Sequence, residues 1–190
     1  MATELMIDLE TLGTDNDAAV IAIGAVKWNR QTLEVGDTFY STIRVTDAEK
    51  YGTKTQSTMD WWMKQDDNAR AHAFTGVQSS MDIARSFAQF AAGCRPWGNG
   101  SVFDVIISDS LFHAHGIKSP WKFWDISDLR TLVLLAEDLT DFRKKDIPFV
   151  GLPHHALHDA LHETNLAVAA IKALRGMRGE IPQSLTIITE

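Results

Sequence analysis

The sequence predicts an α/β or α+β domain in which helices pack on a central β-sheet. Apolar stretches typical of strands occupy the first 45 residues, and helical patterns dominate the remainder of the chain. Strands followed by mixed helices and strands are typical of this class. With 190 residues, 45% of them apolar, the chain is long enough for one well-formed core. We therefore expect a single domain over residues 1–176 and a C-terminal tail over residues 177–190.

Three strands are predicted near the start of the chain. Residues 4–9 form the first strand, and residues 18–26 form a nearly continuous apolar run that is typical of a strand buried on both faces. Residues 38–45 alternate between polar and apolar side chains and form the third strand. Turn-like residues separate the three segments, so we expect an antiparallel meander.

Helical patterns follow the three strands. Thr58 and Ser80 are residue types that cap helices, so each predicts a helix start. Apolar residues at helical spacing predict three longer helices, at about residues 103–115, 127–137 and 155–174.

Charge and cysteine content restrict the classes of function. The net charge is −7 without a run of Lys and Arg, which argues against coating of long nucleic acid but allows an enzyme that holds a few nucleotides. A single cysteine, Cys94, excludes an internal disulfide, fits a reducing compartment and is expected to be buried. No apolar stretch has the length of a membrane span, and residues 1–4 lack the features of a signal peptide. We expect a cytoplasmic location without a membrane partner.

Asp8 and Glu10 form an acidic pair inside an apolar run. Side chains at i and i+2 of a strand point to the same face, so the two carboxylates lie side by side. Such a pair is costly in a buried strand unless a cation compensates the charge. The pair therefore indicates a divalent metal site, whereas on an exposed edge it would indicate only solubility.

Two later segments supply further candidates. Asp104 lies near the start of a predicted helix, where it is either a site residue or an acid favoured by the helix dipole. His154 precedes the last helix, and Asp159 lies one turn inside it. The pairs His154/His158 and His158/His162 have i,i+4 spacing that can bind zinc, but the glutamate of a zinc protease motif is missing. We expect His155 and His162 to be solvated.

The ordered set of these residues resembles a known enzyme family. Asp8-x-Glu10, Asn99-x-x-x-Phe103-Asp104 and His154-x-Ala156-Leu157-x-Asp159 are similar to the three motifs of the DEDDh exonucleases. That family includes polymerase proofreading subunits, RNase T and oligoribonuclease, and it has an RNase H-like α/β fold. The resemblance spans residues 6 to about 172.

Additional segments resemble the branch that contains exonuclease VIII-type and phage exonucleases. These segments are Asp8-Leu9-Glu10-Thr11-Leu12-Gly13, Trp61-Trp62, Trp97-Gly98-Asn99-Gly100, Pro120-Trp121 and Asp128-Leu129-Arg130-Thr131-Leu132. The branch usually has a basic residue before this aspartate, whereas Ser127 stands there in this chain. A substrate or dimer role of Arg130 therefore stays open beside a simple salt bridge.

The resemblance implies a metal-dependent 3′-5′ exonuclease that releases 5′-mononucleotides from single-stranded DNA or RNA ends. Two Mg²⁺ or Mn²⁺ ions, about 4 Å apart, would be held by four carboxylates and would activate a water and stabilise the leaving oxygen. His154 would be the general base, since an imidazole titrates near neutral pH. The implied metal ligands are Asp8, Glu10, Asp104 and Asp159.

The resemblance also implies substrate contacts and partners. The residues expected to contact the terminal nucleotide are Leu9, Thr11, Leu12, Phe103 and Trp62. Core packing is the alternative for Phe103 and for the Trp61-Trp62 pair, of which either ring could stack on a base. Related branches form homodimers, so a homodimer is expected here, in the cytoplasm of a bacterial cell or phage-infected host.

Two alternatives remain at the level of sequence. An oligoribonuclease-like enzyme that degrades very short oligonucleotides fits the acidic net charge, because little backbone binding is available. A non-catalytic nucleic-acid-binding subunit is the second alternative. The four carboxylates argue against that subunit, because a scaffold does not need charges that cost stability.

Overall fold

The computed structural model describes residues 3–177 and contains a five-stranded sheet flanked by helices. The strands are Thr3–Thr11 (β1), Val20–Trp28 (β2), Val35–Thr42 (β3), Cys94–Gly98 (β4) and Ser127–Asp128 (β5). Their order across the sheet is β3-β2-β1-β4-β5. The first three strands pair antiparallel, whereas β4 is parallel to β1 and β5 is parallel to β4. The predicted mixed sheet with an initial antiparallel meander is confirmed.

Seven α-helices accompany the sheet in the described part of the chain. They are Val45–Ala48 (α1), Gln56–Trp62 (α2), Asp67–Phe74 (α3), Ser80–Ala91 (α4), Ser101–Ala114 (α5), Leu129–Leu139 (α6) and Ala156–Gly176 (α7). Within residues 3–177, none of these helices combines the length and the apolar character that crossing a membrane requires. The predicted tail lies, except for residue 177, outside the described residues.

Two predicted helix starts are wrong by one to three residues. The side chain of Thr55 accepts a hydrogen bond from the N–H of Thr58, so Thr55 is the cap of α2. The side chain of Ser79 accepts from the N–H of Asp82 and caps α4. In both cases a neighbouring hydroxyl residue takes the cap, because only the residue with extended backbone can turn its side chain back to the first N–H groups.

The helix predicted from Ser127 begins instead at Leu129. Asp128 caps α6 by accepting the N–H of Thr131 at 2.9 Å, and Ser127 and Asp128 pair with β4 as the edge strand β5. Neither β4 nor β5 was predicted, because short strands carry little periodic signal. The helix α5 begins at Ser101, two residues before the predicted start.

The sheet has a hydrophobic cluster on each face. On one face, Leu5 and Ile7 pack with residues of α4 and α5. On the other face, Met6 packs with residues of α6 and α7. Because side chains alternate along β1, Asp8 and Glu10 follow Met6 on the α7 face. Cys94 is buried as predicted.

Candidate active site

The β1 strand carries the first two acids to the edge of the buried core. Glu10 is buried and Asp8 is partly buried, although both are carboxylates. The strand lies between β2 and β4, and its apolar residues face both clusters, so the backbone at Asp8 is held firmly. The apolar run around the pair therefore explains why two like charges stand in a well-packed position.

The turn between β4 and α5 carries Asp104 to the same place. Gly100, the residue directly before α5, adopts the left-handed conformation at φ +97°, and Asp104 falls in the first turn of the helix. Its carboxylate accepts a hydrogen bond of 3.2 Å from the N–H of Leu9, which is the residue between the two acids of β1. A Cβ at Gly98 would lie 2.9 Å from Oδ2 of Asp104, so the absence of a side chain there leaves room for the carboxylate.

The entry to α7 carries His154 and Asp159. His154 has a φ of +61°, which is uncommon for a residue with a side chain and indicates a turn that the surrounding structure enforces. A Cβ at Gly24 of β2 would lie 2.1 Å from the carbonyl carbon of Ala156. The start of α7 is therefore pressed directly on the sheet, which orients Asp159 toward β1.

Burial and mutual repulsion dominate the electrostatics of these acids. Burial raises the pKa of Asp8 well above its usual range, and the carboxylates of Glu163, Glu10, Asp104 and Asp159 raise it further. Burial, together with Asp159 and Asp104, raises the pKa of Glu10 to about 8. Burial also raises the pKa of Asp104 to about 7, although the hydrogen bond from Leu9 opposes this change. The site therefore requires protons or cations to balance its charge.

The donor set fits a hard divalent cation. Ligand oxygens of Asp8, Glu10 and Asp159 lie within 4.8 Å of one another. Oδ2 of Asp159 and Oε2 of Glu163 are buried without a hydrogen-bond partner, which is costly unless a cation binds them. Carboxylate oxygens are the ligands that Mg²⁺ and Mn²⁺ prefer. The described residues contain no histidine in this cluster, so the i,i+4 histidine pairs do not form a zinc site with it.

A cleft of about 760 Å³ opens over the acids. It contains Leu9, Thr11 and Phe103 beside the catalytic candidates, together with Arg130 and Trp61. The structure thus brings together all five residues predicted to be catalytic. Their number and arrangement suit a site that takes a small anionic group beside bound cations.

The two tryptophans of the Trp61-Trp62 pair have different surroundings. Trp62 is only 1% exposed and its indole N–H donates to the carbonyl of Thr11 at 2.9 Å. Trp61 is 41% exposed, lines the cleft and contacts His154 edge-on, with 4.9 Å between ring centroids. Trp62 also lines the cleft, but it belongs to the core cluster, so its stacking on a nucleotide stays a prediction.

Leu12 also differs from its predicted place. Its side chain is fully buried in the core and is not part of the cleft. Following β1 beyond Glu10, the chain makes an irregular pairing between Glu10 and Thr11, after which Leu12 points into the core. Leu12 therefore does not line the cleft, and its contact with the terminal nucleotide stays a prediction.

Two charged residues of the cleft, Glu163 and Arg130, lie outside the predicted set of site residues, although a substrate role of Arg130 was left open. Glu163 lies one turn after Asp159 on the same side of α7, and i,i+4 spacing from Asp159 was the signal that could have identified it. Arg130 is the single Lys or Arg residue that lines the cleft among residues 3–177. Within the same residues it forms no ion pair within 4.0 Å, although its charge lowers the pKa of Asp104.

The prediction that His155 is solvated is wrong. Its ring is buried and stacks between Tyr40, at 4.3 Å, and His158, at 4.1 Å. Burial and the neighbouring His158 and His72 lower the pKa of His155 to about 4. His155, the residue directly before α7, therefore is a neutral packing residue against Tyr40 of β3.

Comparison with protein families gives one family match over most of the chain. Residues 3–171 match the model of the Rv2179c-like 3′-5′ exoribonuclease domain. An exodeoxyribonuclease of Enterobacteria phage T4 is 27% identical over 210 aligned positions, which cover 93% of this chain and 91% of the phage protein.

Solved structures of Exonuclease I share the fold. The zinc-bound complex of *E. coli* ExoI with single-stranded DNA matches 93% of this chain with a TM-score of 0.63 and 17% identity. The complex of *E. coli* Exonuclease I with a dA16 oligonucleotide matches 94% with a TM-score of 0.63 and 16% identity. This chain spans only 41% and 44% of those two chains. The likeness confirms the predicted RNase H-like fold.

Proposed function

Because the chain belongs to the Rv2179c-like 3′-5′ exoribonuclease family and is a DEDDh-type 3′-5′ exonuclease, we propose that it hydrolyses single-stranded DNA or RNA ends to 5′-mononucleotides with two divalent metal ions. The observation that carries the proposal is the convergence of four carboxylates and His154 in one cleft. The catalytic domain in this proposal comprises residues 1–176.

Asp8, Glu10, Asp104 and Asp159 would hold the ions, Mg²⁺ or Mn²⁺. When bound, such ions lower the pKa of a water and offset the charge on the leaving oxygen. The hydrogen bond from Leu9 to Asp104 keeps this carboxylate beside β1 before any substrate arrives. Preorganised ligands avoid reorganisation during the reaction, which is the main source of rate in phosphoryl transfer.

His154 acts as the general base in this proposal. A ring nitrogen of His154 takes the proton of a water that attacks the phosphorus, and the bond from phosphorus to the 3′ oxygen breaks. The shortened strand keeps a 3′-hydroxyl, protonated from solvent, and the phosphate leaves on the 5′ carbon of the mononucleotide. The carboxylate of Asp159 lies in the same cleft, and a negative charge near the ring favours its protonated form.

The cleft suits a few nucleotides at a 3′ end. The exposed ring of Trp61 offers a stacking surface beside His154, while Leu9, Thr11 and Phe103 line the cleft next to the acids. Arg130 offers one cationic contact to a phosphate. A single cationic side chain in an otherwise acidic cleft gives only weak binding to the phosphate backbone of a nucleic acid. The oligoribonuclease-like alternative, with very short substrates, therefore remains open.

Other parts of the proposal rest on the family alone. Single-stranded DNA is bound in the *E. coli* ExoI complex, and we propose a single-stranded end as the substrate here as well. Homodimer formation and a cytoplasmic location in a bacterial cell or phage-infected host stay predictions. Membership in an exonuclease family favours the enzyme over the non-catalytic subunit.

The decisive experiment is digestion of matched single-stranded and duplex DNA and RNA, labelled at the 5′ end, in lengths from the dinucleotide upwards. We expect ladders shortened from the 3′ end and release of 5′-mononucleotides with Mg²⁺ or Mn²⁺, and no digestion with EDTA. Asp8→Asn should lower the rate about 100-fold or more, because a metal ligand helps to lower the activation barrier by several kcal/mol. Asp37→Asn, on the exposed strand β3, is the matched control. Wild-type rates in Asp8→Asn would contradict the proposal.

A further inference from the structure

Glu163 is a buried carboxylate of the cleft that the four-carboxylate set leaves unexplained. Its side chain is 5% exposed, it lines the cleft, and its Oε2 has no hydrogen-bond partner. Desolvating a carboxylate without compensation is among the more costly arrangements in a protein. If Glu163 only packed α7 against the sheet, an apolar side chain would cost less free energy to bury at this position. The carboxylate therefore needs a binding partner that the protein itself does not supply.

Other acids of the cleft lie close to Glu163. After burial, the carboxylate of Glu163 is the strongest cause that raises the pKa of Asp8, and Asp104 and Asp159 raise the pKa of Glu163 in turn. Asp159 lies one turn before Glu163 on the same side of α7. Glu163 stands outside the group in which Asp8, Glu10 and Asp159 converge within 4.8 Å, so its carboxylate adds to that group.

Asn99 and Asp104 line the cleft together with Glu163. Burial raises the pKa of Glu163 most, the carboxylate of Asp104 raises it further, and Asn99 lowers it. Oε2 of Glu163 is buried without a hydrogen-bond partner among the described residues, in the same cleft as Asp8 and Asp104.

We propose that Glu163 is a fifth carboxylate of the cation site and contacts a Mg²⁺ or Mn²⁺ ion bound in this cleft, directly or through a bound water. The inference rests on the proposed function, because it requires that divalent cations bind in this cleft. Glu163 is a positioning residue for the cation and for the waters around it, and it takes no proton from the attacking water.

The test is calorimetric titration of metal-free protein with Mn²⁺ in the absence of nucleic acid. Glu163→Gln keeps the size of the side chain and removes only its charge, so the fold should persist. We expect the affinity for Mn²⁺ to fall about 10- to 100-fold or one binding site to be lost. Asp37→Asn removes one charge from exposed β3 and should titrate like the wild type.

A second readout separates cation binding from a structural role. Metal-free Glu163→Gln should unfold at the wild-type temperature or above it, because a repelling buried carboxylate is gone, whereas its stabilisation by added Mn²⁺ should be smaller. A purely structural Glu163 would instead lower the unfolding temperature of the metal-free protein and leave the Mn²⁺ affinity unchanged. That result would overturn the inference.

The two proposals fail in different ways. If the wild type binds no Mn²⁺, with or without a mononucleotide, the proposed metal-dependent function fails. If the wild type binds Mn²⁺ and Glu163→Gln binds it with equal affinity and stoichiometry, only the assignment of Glu163 fails. Should Glu163→Gln not fold, Glu163→Asp decides: it keeps the charge but shortens the reach, and an unchanged Mn²⁺ affinity would count against the assignment.

Discussion

At the scale of single residues, His154 combines strain with exposure to the cleft. His154 has a left-handed backbone conformation, and Gly151, three residues earlier, has a φ of +122°. The ring of His154 contacts that of Trp61 edge-on. Such conformations persist only where the surroundings over-determine them, and they cluster at active sites. The strain places the ring one helical turn before Asp159, where a base beside the metal ligands is needed.

Replacing His154 by Asn removes the imidazole ring and should keep the turn, because Asn tolerates the left-handed backbone conformation. We expect His154→Asn to lower kcat about 10²- to 10⁴-fold, the usual contribution of a general base, while calorimetric Mn²⁺ affinity and the unfolding temperature stay near wild type. His113→Asn, on the exposed side of α5, is the control. An unchanged kcat in His154→Asn would exclude this residue as the base.

At the scale of elements, the site depends on the contact between β2 and the start of α7. Gly24 pairs with Asp8 across the sheet, and its missing side chain lets the backbone of Ala156 approach. No rotamer change can make room for a Cβ there, since the obstructing atoms are backbone. The position of Asp159 relative to Asp8 therefore follows from one close approach.

We expect Gly24→Ala to lower the free energy of unfolding by about 1–3 kcal/mol or more, because overpacking pushes α7 away from the sheet. The same shift separates Asp159 from Asp8, so the Mn²⁺ affinity should fall as well. Urea unfolding and calorimetry measure the two effects. Gly36→Ala on β3 would meet its nearest atom at an ordinary 3.4 Å and should change stability by less than about 0.5 kcal/mol. Equal effects of both substitutions would refute this explanation.

At the scale of the whole molecule, the acidic cluster couples stability to pH. Glu10 titrates near 8 in the folded protein and near 4.5 when unfolded, and Asp104 near 7 against 3.8. At a pH between the unfolded and the folded pKa of each group, the folded protein keeps a proton that the unfolded protein has lost. The stabilising contribution of these groups is therefore complete below the unfolded pKa values and disappears as the pH rises through the folded ones.

We accordingly expect the unfolding temperature of the metal-free protein to fall as the pH rises from about 5 to about 8. Bound cations favour the ionised carboxylates, so Mn²⁺ should reverse this fall most strongly at the upper end of the range. Scanning calorimetry with and without Mn²⁺ measures both trends, and Glu10→Gln should flatten the metal-free curve. A metal-free protein that becomes more stable over this range would show that the cluster does not carry the predicted protons.

Much of the fold and half of the site followed from local patterns. Periodicity of two along β1 predicted that Asp8 and Glu10 share a face, and helical spacing predicted α7 within about two residues at each end. These features are properties of one segment, so a sequence is sufficient. The short strands β4 and β5 were missed because pairing with a neighbouring strand, β1 for β4 and β4 for β5, and not an internal pattern, makes them strands.

The sequence by itself determined the order and type of the acids, the histidine before the last helix and the family that these residues resemble. Only the tertiary structure decided that Trp61 is exposed in the cleft while Trp62 beside it is buried, that His155 is buried, and that Glu163 joins the acids. The physical reason is that burial of a helical residue depends on which neighbour its helix face meets. That choice is made by long-range packing, here of α7 on β2 and of α2 beside β1.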